Sequence, residues 1–279
     1  MARGPLHEGE VQKYREEGFV LVRGMFGPRE IGLLQRSAKD DKALDDHSFG
    51  RADDQGGIVR LSLWNHPGSG IYGMFARCRS LVDSAEALLG GEVYHYHSKM
   101  IMKEPRVGGA WAWHQDYGYW YQNGVLFPLL TSAFVAVDRC TQENGCLQVL
   151  KGSHLAGRVH HVLTGDQAGA DRERVNEMAK RLELVHVEME PGDVVFFDAN
   201  LLHCSAPNHS EHPRWSMICC YNAARNDPYR DAHHPRYTPL SKVEDSQIIE
   251  VGAKRFSEDG SNVAWLDPRS DVSASALAK

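Results

Sequence analysis

The fold of this chain is decided by the segment Trp111-Ala112-Trp113-His114-Gln115-Asp116-Tyr117. Successive side chains of an extended strand point to opposite faces, so His114 and Asp116 point the same way. One imidazole and one carboxylate on a shared face are two ligands of the two-histidine, one-carboxylate set that binds non-haem iron(II). The segment therefore predicts a strand that carries two ligands of a metal ion.

The third ligand is expected at His203, which follows the apolar run over residues 194–202. Ser205 and Arg214 lie two and eleven residues further along the chain. If Arg214 lies on the next antiparallel strand, its guanidinium can bind a carboxylate bidentately, and each charge-assisted hydrogen bond contributes roughly 1.5 to 3 kcal/mol. A 2-oxoglutarate cosubstrate requires such a cation. The pattern therefore predicts a site for iron(II), 2-oxoglutarate and O2.

Short β-runs separated by turn residues surround these motifs. Turn sequences such as Glu143-Asn144-Gly145 and Pro191-Gly192-Asp193 separate successive runs. Several short strands in sequence favour a β-sandwich or jelly roll over a parallel α/β fold, so a mainly β fold is predicted. The predicted strands cover residues 93–102, 111–117, 132–137, 147–150, 184–188, 193–198 and 215–221.

The chain before these strands has helical patterns. Pro28 suits the first turn of a helix, and Gly90-Gly91 suits a helix end. The expected elements are helices over 8–17, from Pro28 and over 79–89, strands over 18–24 and 58–64, and a loop over 40–57. We expect one domain over 1–279: an amino-terminal helical part (1–91), a β core (92–222) with a lid insertion (153–183, partly helical), and a carboxy-terminal tail (223–279).

Composition excludes several partners. The 279 residues are 42% hydrophobic and 24% charged, which is typical of a soluble globular protein. A net charge of -6 argues against a nucleic-acid partner, and no apolar run reaches the ~18 residues that a membrane span needs. The six cysteines show no metal-type spacing and follow no signal peptide, so reduced thiols and a cytoplasmic location are expected. The oligomeric state is not predicted.

Four motifs in this order resemble the phytanoyl-CoA dioxygenase superfamily of iron(II)- and 2-oxoglutarate-dependent oxygenases. The resemblance spans residues 18–221. The motifs are His114-Gln115-Asp116, then Glu143-Asn144-Gly145-Cys146-Leu147 leading to Lys151-Gly152-Ser153-His154, then Pro191-Gly192-Asp193, and His203-x-Ser205 ending in Arg214.

The resemblance implies a double-stranded β-helix, a cupin-like jelly roll, with His114, Asp116 and His203 as iron ligands. It also implies decarboxylation of 2-oxoglutarate to succinate and CO2, coupled to oxidation of the substrate. Relatives that halogenate lack the carboxylate ligand, so the presence of Asp116 favours hydroxylation. Desaturation or ring chemistry would use the same ligands.

The resemblance also implies residues for the cosubstrate. Arg214 and Ser205 would hold its distal carboxylate. Family positions on the strand before the His-x-Asp motif and on the strand after it fall on Lys99 and Phe134; the latter is usually tryptophan in the family. An upstream lysine of the family falls at Arg60, where arginine would keep the charge.

The substrate contacts are expected near the aromatic cluster that follows Asp116. Tyr117, Tyr119 or Trp120 would line the substrate pocket, or alternatively fill the core. Arg158 and His160 on the insertion would contact an anionic substrate group, or alternatively lie on its surface. A small polar metabolite is expected rather than a CoA thioester, because no cationic patch for the CoA phosphates is apparent.

Two other functions use the same residues. A cupin-like hydrolase or isomerase would hold zinc or manganese on the three ligands. A non-catalytic β-sandwich binding module would keep only the scaffold. Arg214 with Ser205 favours the oxygenase over the hydrolase, because a hydrolase does not need to bind a dicarboxylate there. An intact set of three ligands favours it over the binding module.

Overall fold

The computed structural model describes residues 2–254 and 263–270, so the expected tail falls outside the described residues at 255–262 and 271–279. The described α-helices are α1 (Glu8–Glu17), α2 (Pro28–Asp40), α3 (Lys42–Asp46), α4 (Ile71–Arg77), α5 (Arg79–Leu89), α6 (Asp116–Trp120), α7 (Arg172–Ala179) and α8 (Ser246–Gly252). None of them is long and apolar enough to cross a membrane.

The described strands form a mainly β structure. They are β1 (Phe19–Val22), β2 (Phe49–Ala52), β3 (Ile58–Trp64), β4 (Val93–Lys103), β5 (Trp111–His114), β6 (Leu130–Ala136), β7 (Leu147–Leu150), β8 (His161–Thr164), β9 (Gln167–Ala170), β10 (Leu184–Val187), β11 (Val194–Asp198), β12 (His203–Ser205) and β13 (Arg214–Ala223).

Two antiparallel sheets make up the jelly roll. The larger has the order β1-β11-β6-β13-β4-β3-β2, and the smaller has the order β10-β7-β12-β5. Strands β8 and β9 form a separate hairpin. Residues of both large sheets, such as Phe134 and Val149, share one buried apolar cluster, so the sheets pack face to face. This architecture confirms the predicted fold class.

The central strand β13 is buried on both faces. Met217, Cys219 and Tyr221 belong to a second apolar cluster that includes residues of α1, α2, α4 and α5, whereas Ile218 and Cys220 belong to the cluster between the sheets. This alternation follows from the period of a strand. The helices thus cover the outer face of the larger sheet, and the inner face remains for a site between the sheets.

A β-bulge on β4 decides which of its side chains face inward. His97 pairs with Cys220 and His95 with Tyr221, so Tyr96 is the extra residue. Beyond the bulge, His97, Lys99, Ile101 and Lys103 line cavities between the sheets. A bulge of this kind redirects side chains that regular alternation would place on the other face.

Local signals explain why several helix boundaries match the prediction. His7 and Glu10 form a capping box at the start of α1, and Gly18 ends that helix with a φ of 83°. A Cβ at Gly18 would lie 2.5 Å from His154 Nδ1, so glycine is required there. Pro28 begins α2, and Gly90 ends α5 in the left-handed conformation.

Other elements differ from the prediction. The strand expected over 111–117 ends at His114, and Asp116 begins α6. The loop expected over 40–57 contains α3 and β2, because Asp41 caps a short helix through hydrogen bonds to the amides of Ala43 and Leu44. The sequence did not predict α4. The expected lid insertion contains the hairpin β8–β9 as well as α7, and β9 contacts β5.

Candidate metal centre and adjoining cavities

Three donor side chains meet where the smaller sheet faces the larger one. His114 ends β5 and pairs directly with His203, the first residue of β12. Asp116 Oδ1 lies 3.8 Å from His114 Nε2 and 3.9 Å from His203 Nε2. All three side chains are buried, and their ligand atoms lie within 4.8 Å of one another. Strand pairing and the extended backbone at Gln115 thus bring together the predicted triad.

Backbone carbonyls orient both imidazoles. His114 Nδ1 lies 2.8 Å from the carbonyl oxygen of Ala112, and His203 Nδ1 lies 2.9 Å from that of Leu201. A carbonyl only accepts, so each Nδ1 carries the hydrogen and each Nε2 presents a lone pair. Burial lowers the pKa of both histidines, which favours the neutral form that binds metals.

Two hydroxyl groups hold the carboxylate of Asp116. Tyr119 donates to Oδ1 at 2.5 Å, and Ser132 donates to Oδ2 at 2.9 Å. Burial raises the pKa of Asp116, but the charge of Lys99, the two imidazoles and the Tyr119 hydrogen bond outweigh burial and hold it at about 2. Asp116 is therefore an anion, as a metal ligand requires.

The side chain between the two motif residues ties the ligand segments together. Gln115 donates to the carbonyl oxygens of Gly157 at 2.8 Å and Asn200 at 2.6 Å, and accepts from the amide of Val159. The backbone N–H of Gln115 donates to Nε2 of the buried His161. These bonds connect the end of β5 to the loop before His203, so they fix the spacing of the ligands.

The donor set fits iron(II). Two neutral imidazole nitrogens and one carboxylate oxygen are the ligands of the facial triad, which leaves coordination positions open. Of the described residues, His114, Asp116 and His203 are the group whose donors converge in this way. The Nδ1 hydrogen bonds supply the outer support that metal-binding histidines need.

The cosubstrate cavity adjoins the triad between the two sheets. It contains His114 and His203 at one end and Arg214 at the other. Phe134, Ile218 and Lys99 form one row across β6, β13 and β4 along its wall. The other residues that line this cavity include Ile101, Lys103, Trp111, Leu147, Phe197, Cys204 and Ser205. The structure therefore brings four of the five expected cosubstrate residues together.

Arg214 is an incompletely satisfied cation inside this cavity. It is 2% exposed, donates to Ser216 Oγ at 3.1 Å and to the carbonyl oxygen of Gly145 at 2.9 Å, and its Nε has no hydrogen-bond partner among the described residues. Burial lowers its pKa, yet a guanidinium stays charged in proteins. Because a buried donor without an acceptor is unfavourable by about 1 to 3 kcal/mol, Arg214 fits an anionic ligand.

Lys103 is a cosubstrate-cavity residue that the sequence analysis missed. It pairs with Arg214 across β4 and β13, is fully buried, and donates to the carbonyl oxygen of Ala206. Burial lowers its pKa well below the ordinary range, and the charge of Arg214 lowers it further. Strand alternation from Lys99 was the signal that could have found it, because residues four apart on a strand share a face.

A second cavity lies on the other side of Lys99 and Trp111, which line both cavities. Tyr119 separates this second cavity from Asp116, to which it donates. Its other lining residues come from β2, β3, β4, the β8–β9 turn and the tail: Phe49, Arg51, Leu61, Leu63, His97, Asp166, Gln167, Ala168, His233 and His234.

Arg60 does not lie with the triad, in contrast to the expectation from the resemblance. It projects from β3 toward Asp45 and Glu104, with which it forms ion pairs, and its side chain is 34% exposed. It lines a separate surface pocket. The upstream alignment crossed loops, and Lys103 supplies the additional positive charge in the cosubstrate cavity instead.

Of the expected substrate contacts, the structure brings only Tyr119 to a cavity beside the triad. Tyr117 donates to the carbonyl oxygen of Leu126, and Trp120 is fully buried in the core between the sheets. Arg158 and His160 are exposed, and Arg158 packs over the ring of Tyr121. Neither lines the two cavities. The predicted alternatives therefore apply to these four residues: Tyr117 and Trp120 fill the core, and Arg158 and His160 lie on the surface.

Comparison with known proteins places these features in a family. A family model described as phytanoyl-CoA dioxygenase (PhyH) matches residues 14–216. L-proline trans-4-hydroxylase of Streptomyces griseoviridis is 30% identical over 274 residues, covering 90% of this chain and 98% of that protein. Ectoine dioxygenase of Sphingopyxis alaskensis is 29% identical over 238 residues, covering 80% of this chain and 78% of that protein.

Crystal structures of EctD from S. alaskensis are similar in fold. The structure with bound Fe has a TM-score of 0.73 and 25% identity, covering 88% of this chain and 89% of that chain. The structure with 2-oxoglutarate and 5-hydroxyectoine has a TM-score of 0.69 and 27% identity, covering 88% of this chain and 86% of that chain. From the family match, these relatives and the buried triad beside Arg214, we conclude that the chain belongs to the phytanoyl-CoA dioxygenase family and is an iron(II)- and 2-oxoglutarate-dependent dioxygenase.

Proposed function

We propose that His114, Asp116 and His203 hold the iron(II) of this dioxygenase and that the enzyme hydroxylates a small polar metabolite. The observation that carries the proposal is that one cavity is lined both by the triad histidines His114 and His203 and by the buried Arg214, whose Nε has no partner among the described residues. Iron(II) bound there supplies the activation of O2, which is coupled to decarboxylation of 2-oxoglutarate to succinate and CO2 and to hydroxylation of the substrate.

The cosubstrate carboxylate far from the metal is assigned to Arg214, Ser205 and Lys103. All three are buried residues that line the cavity at the end away from Asp116. A guanidinium binds a carboxylate through two parallel hydrogen bonds, and the adjacent Lys103 and Ser205 offer further hydrogen-bond donors. Phe134 packs against Arg214, with 5.8 Å between the guanidinium carbon and the ring centroid, and so limits its movement.

The protein fixes the hydrogen bonds and the protonation states of its three metal-binding side chains before any substrate binds. Tyr119 and Ser132 keep both oxygens of Asp116 hydrogen-bonded, and the two histidines are neutral. Trp111 lines both the cosubstrate cavity and the second cavity. A metal-dependent hydrolase does not need a buried arginine in the same cavity, so this arrangement favours the oxygenase.

The substrate class follows from the relatives and from the second cavity. The hydroxylase of S. griseoviridis is named for L-proline, and the dioxygenases of several bacteria are named for ectoine. Both compounds are small. We assign the substrate to the second cavity, because its lining residue Tyr119 donates directly to the metal ligand Asp116.

We also assign the enzyme to the cytoplasm. The six cysteines are all free and buried. Unpaired thiols are typical of reducing compartments, where disulfides are rare. Fusion to a fluorescent reporter, followed by microscopy in the native host, tests this assignment, and export of the fusion would contradict it.

Spectroscopy and turnover test the assigned site. Under anaerobic conditions with iron(II), adding 2-oxoglutarate should produce a weak visible charge-transfer band. His114→Ala should abolish both the band and the uncoupled formation of succinate in air, because one ligand is lost. Lys13→Met removes a lysine from the distant helix α1 and should leave both unchanged. Absence of the band in the wild-type protein, or its persistence in His114→Ala, would contradict the proposal.

A further inference from the structure

Lys99 lies at the junction of the cosubstrate cavity and the second cavity. It is 8% exposed and lines both. Its ammonium makes no hydrogen bond and no ion pair with any other described residue. A buried ammonium without a partner is strongly unfavourable, so such a group is retained where a ligand supplies the missing anion.

Once a metal ion is bound to Asp116, neither the metal centre nor the cosubstrate needs this additional charge. The charge of Lys99 lowers the pKa of Asp116. Both oxygens of Asp116 already accept hydrogen bonds, however, and a bound metal ion would neutralise the charge of the carboxylate. A keto-diacid has two carboxylates. One belongs at the metal, and the guanidinium of Arg214 with the adjacent Lys103 and Ser205 provides the donors for the other. Lys99 therefore remains available to a different anion.

The composition of the second cavity matches a small anion with an apolar body. Phe49, Leu61 and Leu63 supply apolar lining, and Arg51 adds a second cation. Asp166, which is exposed, is the acidic residue among those that line this cavity.

Two of the three histidines that line this cavity, His97 and His234, do not replace Lys99 as the source of charge. His97 and His234 are stacked, with ring centroids 4.3 Å apart. Burial lowers the pKa of both well below the ordinary value. The neighbouring His234 lowers that of His97 further, His233 lowers that of His234, and Lys99 lowers both. They are neutral near pH 7 and can give hydrogen bonds but no net charge.

We propose that the second cavity binds a substrate that carries a carboxylate and that Lys99 is the anchor of that carboxylate. This inference rests on the proposed function, since it assumes that the second cavity is the substrate site. It assigns to Lys99 a role toward the substrate rather than toward 2-oxoglutarate. The substrate class is then a small organic acid whose carbon skeleton packs on the apolar lining residues.

Matched pairs of probes test the charge requirement. Binding of L-proline, pipecolate and phenylacetate is compared with binding of their primary amides by calorimetry, in anaerobic protein loaded with iron(II) and 2-oxoglutarate. Each amide keeps the skeleton and removes the negative charge. We expect at least one carboxylate to bind more tightly than its amide by roughly ten- to a hundredfold, the effect of one charge-assisted hydrogen bond in a buried site. If no carboxylate binds better than its amide, or if phosphate monoesters bind better than carboxylates, the proposal is overturned.

Variants at Lys99 identify the residue responsible. Lys99→Met keeps a similar volume and should abolish the preference for carboxylate over amide, whereas Lys99→Arg should retain part of it. The control Lys13→Met should bind like the wild type. Circular dichroism and the thermal midpoint show whether each variant is folded.

The cosubstrate band separates this inference from the proposed function. Lys99→Met should show the 2-oxoglutarate band at the same cosubstrate concentration as the wild type. A variant that needs much more 2-oxoglutarate and still prefers carboxylates would place Lys99 in the cosubstrate site and overturn the inference alone. A wild-type protein without any band would instead reject the proposed function.

Discussion

Ser132 shows how a single hydroxyl supports the metal centre. It lies on β6 of the larger sheet, while the ligands His114 and His203 come from the smaller sheet. Its hydrogen bond to Asp116 Oδ2, at 2.9 Å, joins the two sheets through the ligand itself. The orientation of the carboxylate therefore depends on how the sheets pack.

Replacing Ser132 should weaken iron binding without removing a ligand. Ser132→Ala leaves Asp116 Oδ2 without its donor, and loss of such outer contacts typically lowers metal affinity by about 10- to 100-fold. Iron content after dialysis, measured as a function of free iron(II), gives the change in affinity. Asp116→Ala should retain no stoichiometric iron under the same conditions. Equal iron retention by Ser132→Ala and the wild type would show that Tyr119 alone is sufficient.

Arg214 should control the requirement for cosubstrate rather than the chemistry. Arg214→Ala removes the cation from the end of the cosubstrate cavity, and the loss of two charge-assisted hydrogen bonds corresponds to roughly a hundredfold or more in KM for 2-oxoglutarate. Succinate release should approach the wild-type rate at saturating cosubstrate. Arg214→Lys should be intermediate, because an ammonium lacks the bidentate geometry. The same fractional loss of activity at every cosubstrate concentration would indicate a structural role.

At the scale of elements, the turn before β7 positions Arg214. Gly145 has a φ of 77°, and its carbonyl oxygen accepts from Arg214 Nη2 at 2.9 Å. A Cβ at this position would lie 2.2 Å from the carbonyl oxygen of Ala206, which also accepts from Lys103. From the sequence, Glu143-Asn144-Gly145 is predicted as a turn between two strands. The turn in fact contacts the residue that is assigned to the cosubstrate.

Gly145→Ala should weaken 2-oxoglutarate binding although it lies outside the cavity lining. The added methyl group must displace the turn or the Ala206 carbonyl, and either shift moves a partner of Arg214 or of Lys103. Gly152→Ala is a matched control, since Gly152 has a φ of 80° but open space around its Cβ position. Both variants should lose about 1 to 2 kcal/mol of stability from the left-handed backbone. Only Gly145→Ala should raise KM for 2-oxoglutarate, and an equal KM in the two variants would refute the link.

At the scale of the whole molecule, one apolar cluster packs the helices on the larger sheet, and a second cluster lies between the sheets beside the cosubstrate cavity. The cluster on the helical side contains Phe26 and Phe75, whose ring centroids are 4.7 Å apart. The cluster between the sheets contains Phe134 and Ile218, which also line the cosubstrate cavity. The larger sheet separates the helical layer from the metal centre.

This division predicts that stability and cosubstrate binding respond to different substitutions. Phe75 is fully buried in the helical cluster, so Phe75→Ala should lower the free energy of unfolding by about 3 to 5 kcal/mol. Denaturant unfolding measures that loss. KM for 2-oxoglutarate, measured below the unfolding transition, should remain close to the wild-type value. A raised KM together with little loss of stability would show that the two clusters are coupled.

Strand periodicity made the metal ligands predictable from the sequence. His114 and Asp116 share a face because one extended residue separates them. His203 and Arg214 could be placed from the spacing between two strands that are consecutive in the chain, although β12 and β13 lie in different sheets. The resemblance to a family added Lys99 and Phe134, both of which line the cosubstrate cavity. These positions depend on local backbone geometry, which a sequence pattern reflects directly.

The second cavity could not be predicted in the same way. Arg51, His97 and His234 meet there although more than a hundred residues separate the last two, and no local pattern encodes that contact. The bulge at Tyr96 also changes which side chains of β4 face inward, and its position is visible only in the strand pairing. Tyr117 and Trp120, for which a substrate contact and a core position were both predicted, fill the core.

The two cavities draw their walls from different parts of the larger sheet. Strands β2 and β3 at its margin, with residues 233–234, border the second cavity, whereas the interior strands β6 and β13 border the cosubstrate cavity. The edge strand β2 has a neighbour on one side only, so this end of the sheet tolerates replacement more readily than the interior strands. Substitutions in β2 and β3, in evolution or by engineering, can therefore change which compound is oxidised. The metal ligands and the cosubstrate cavity stay the same.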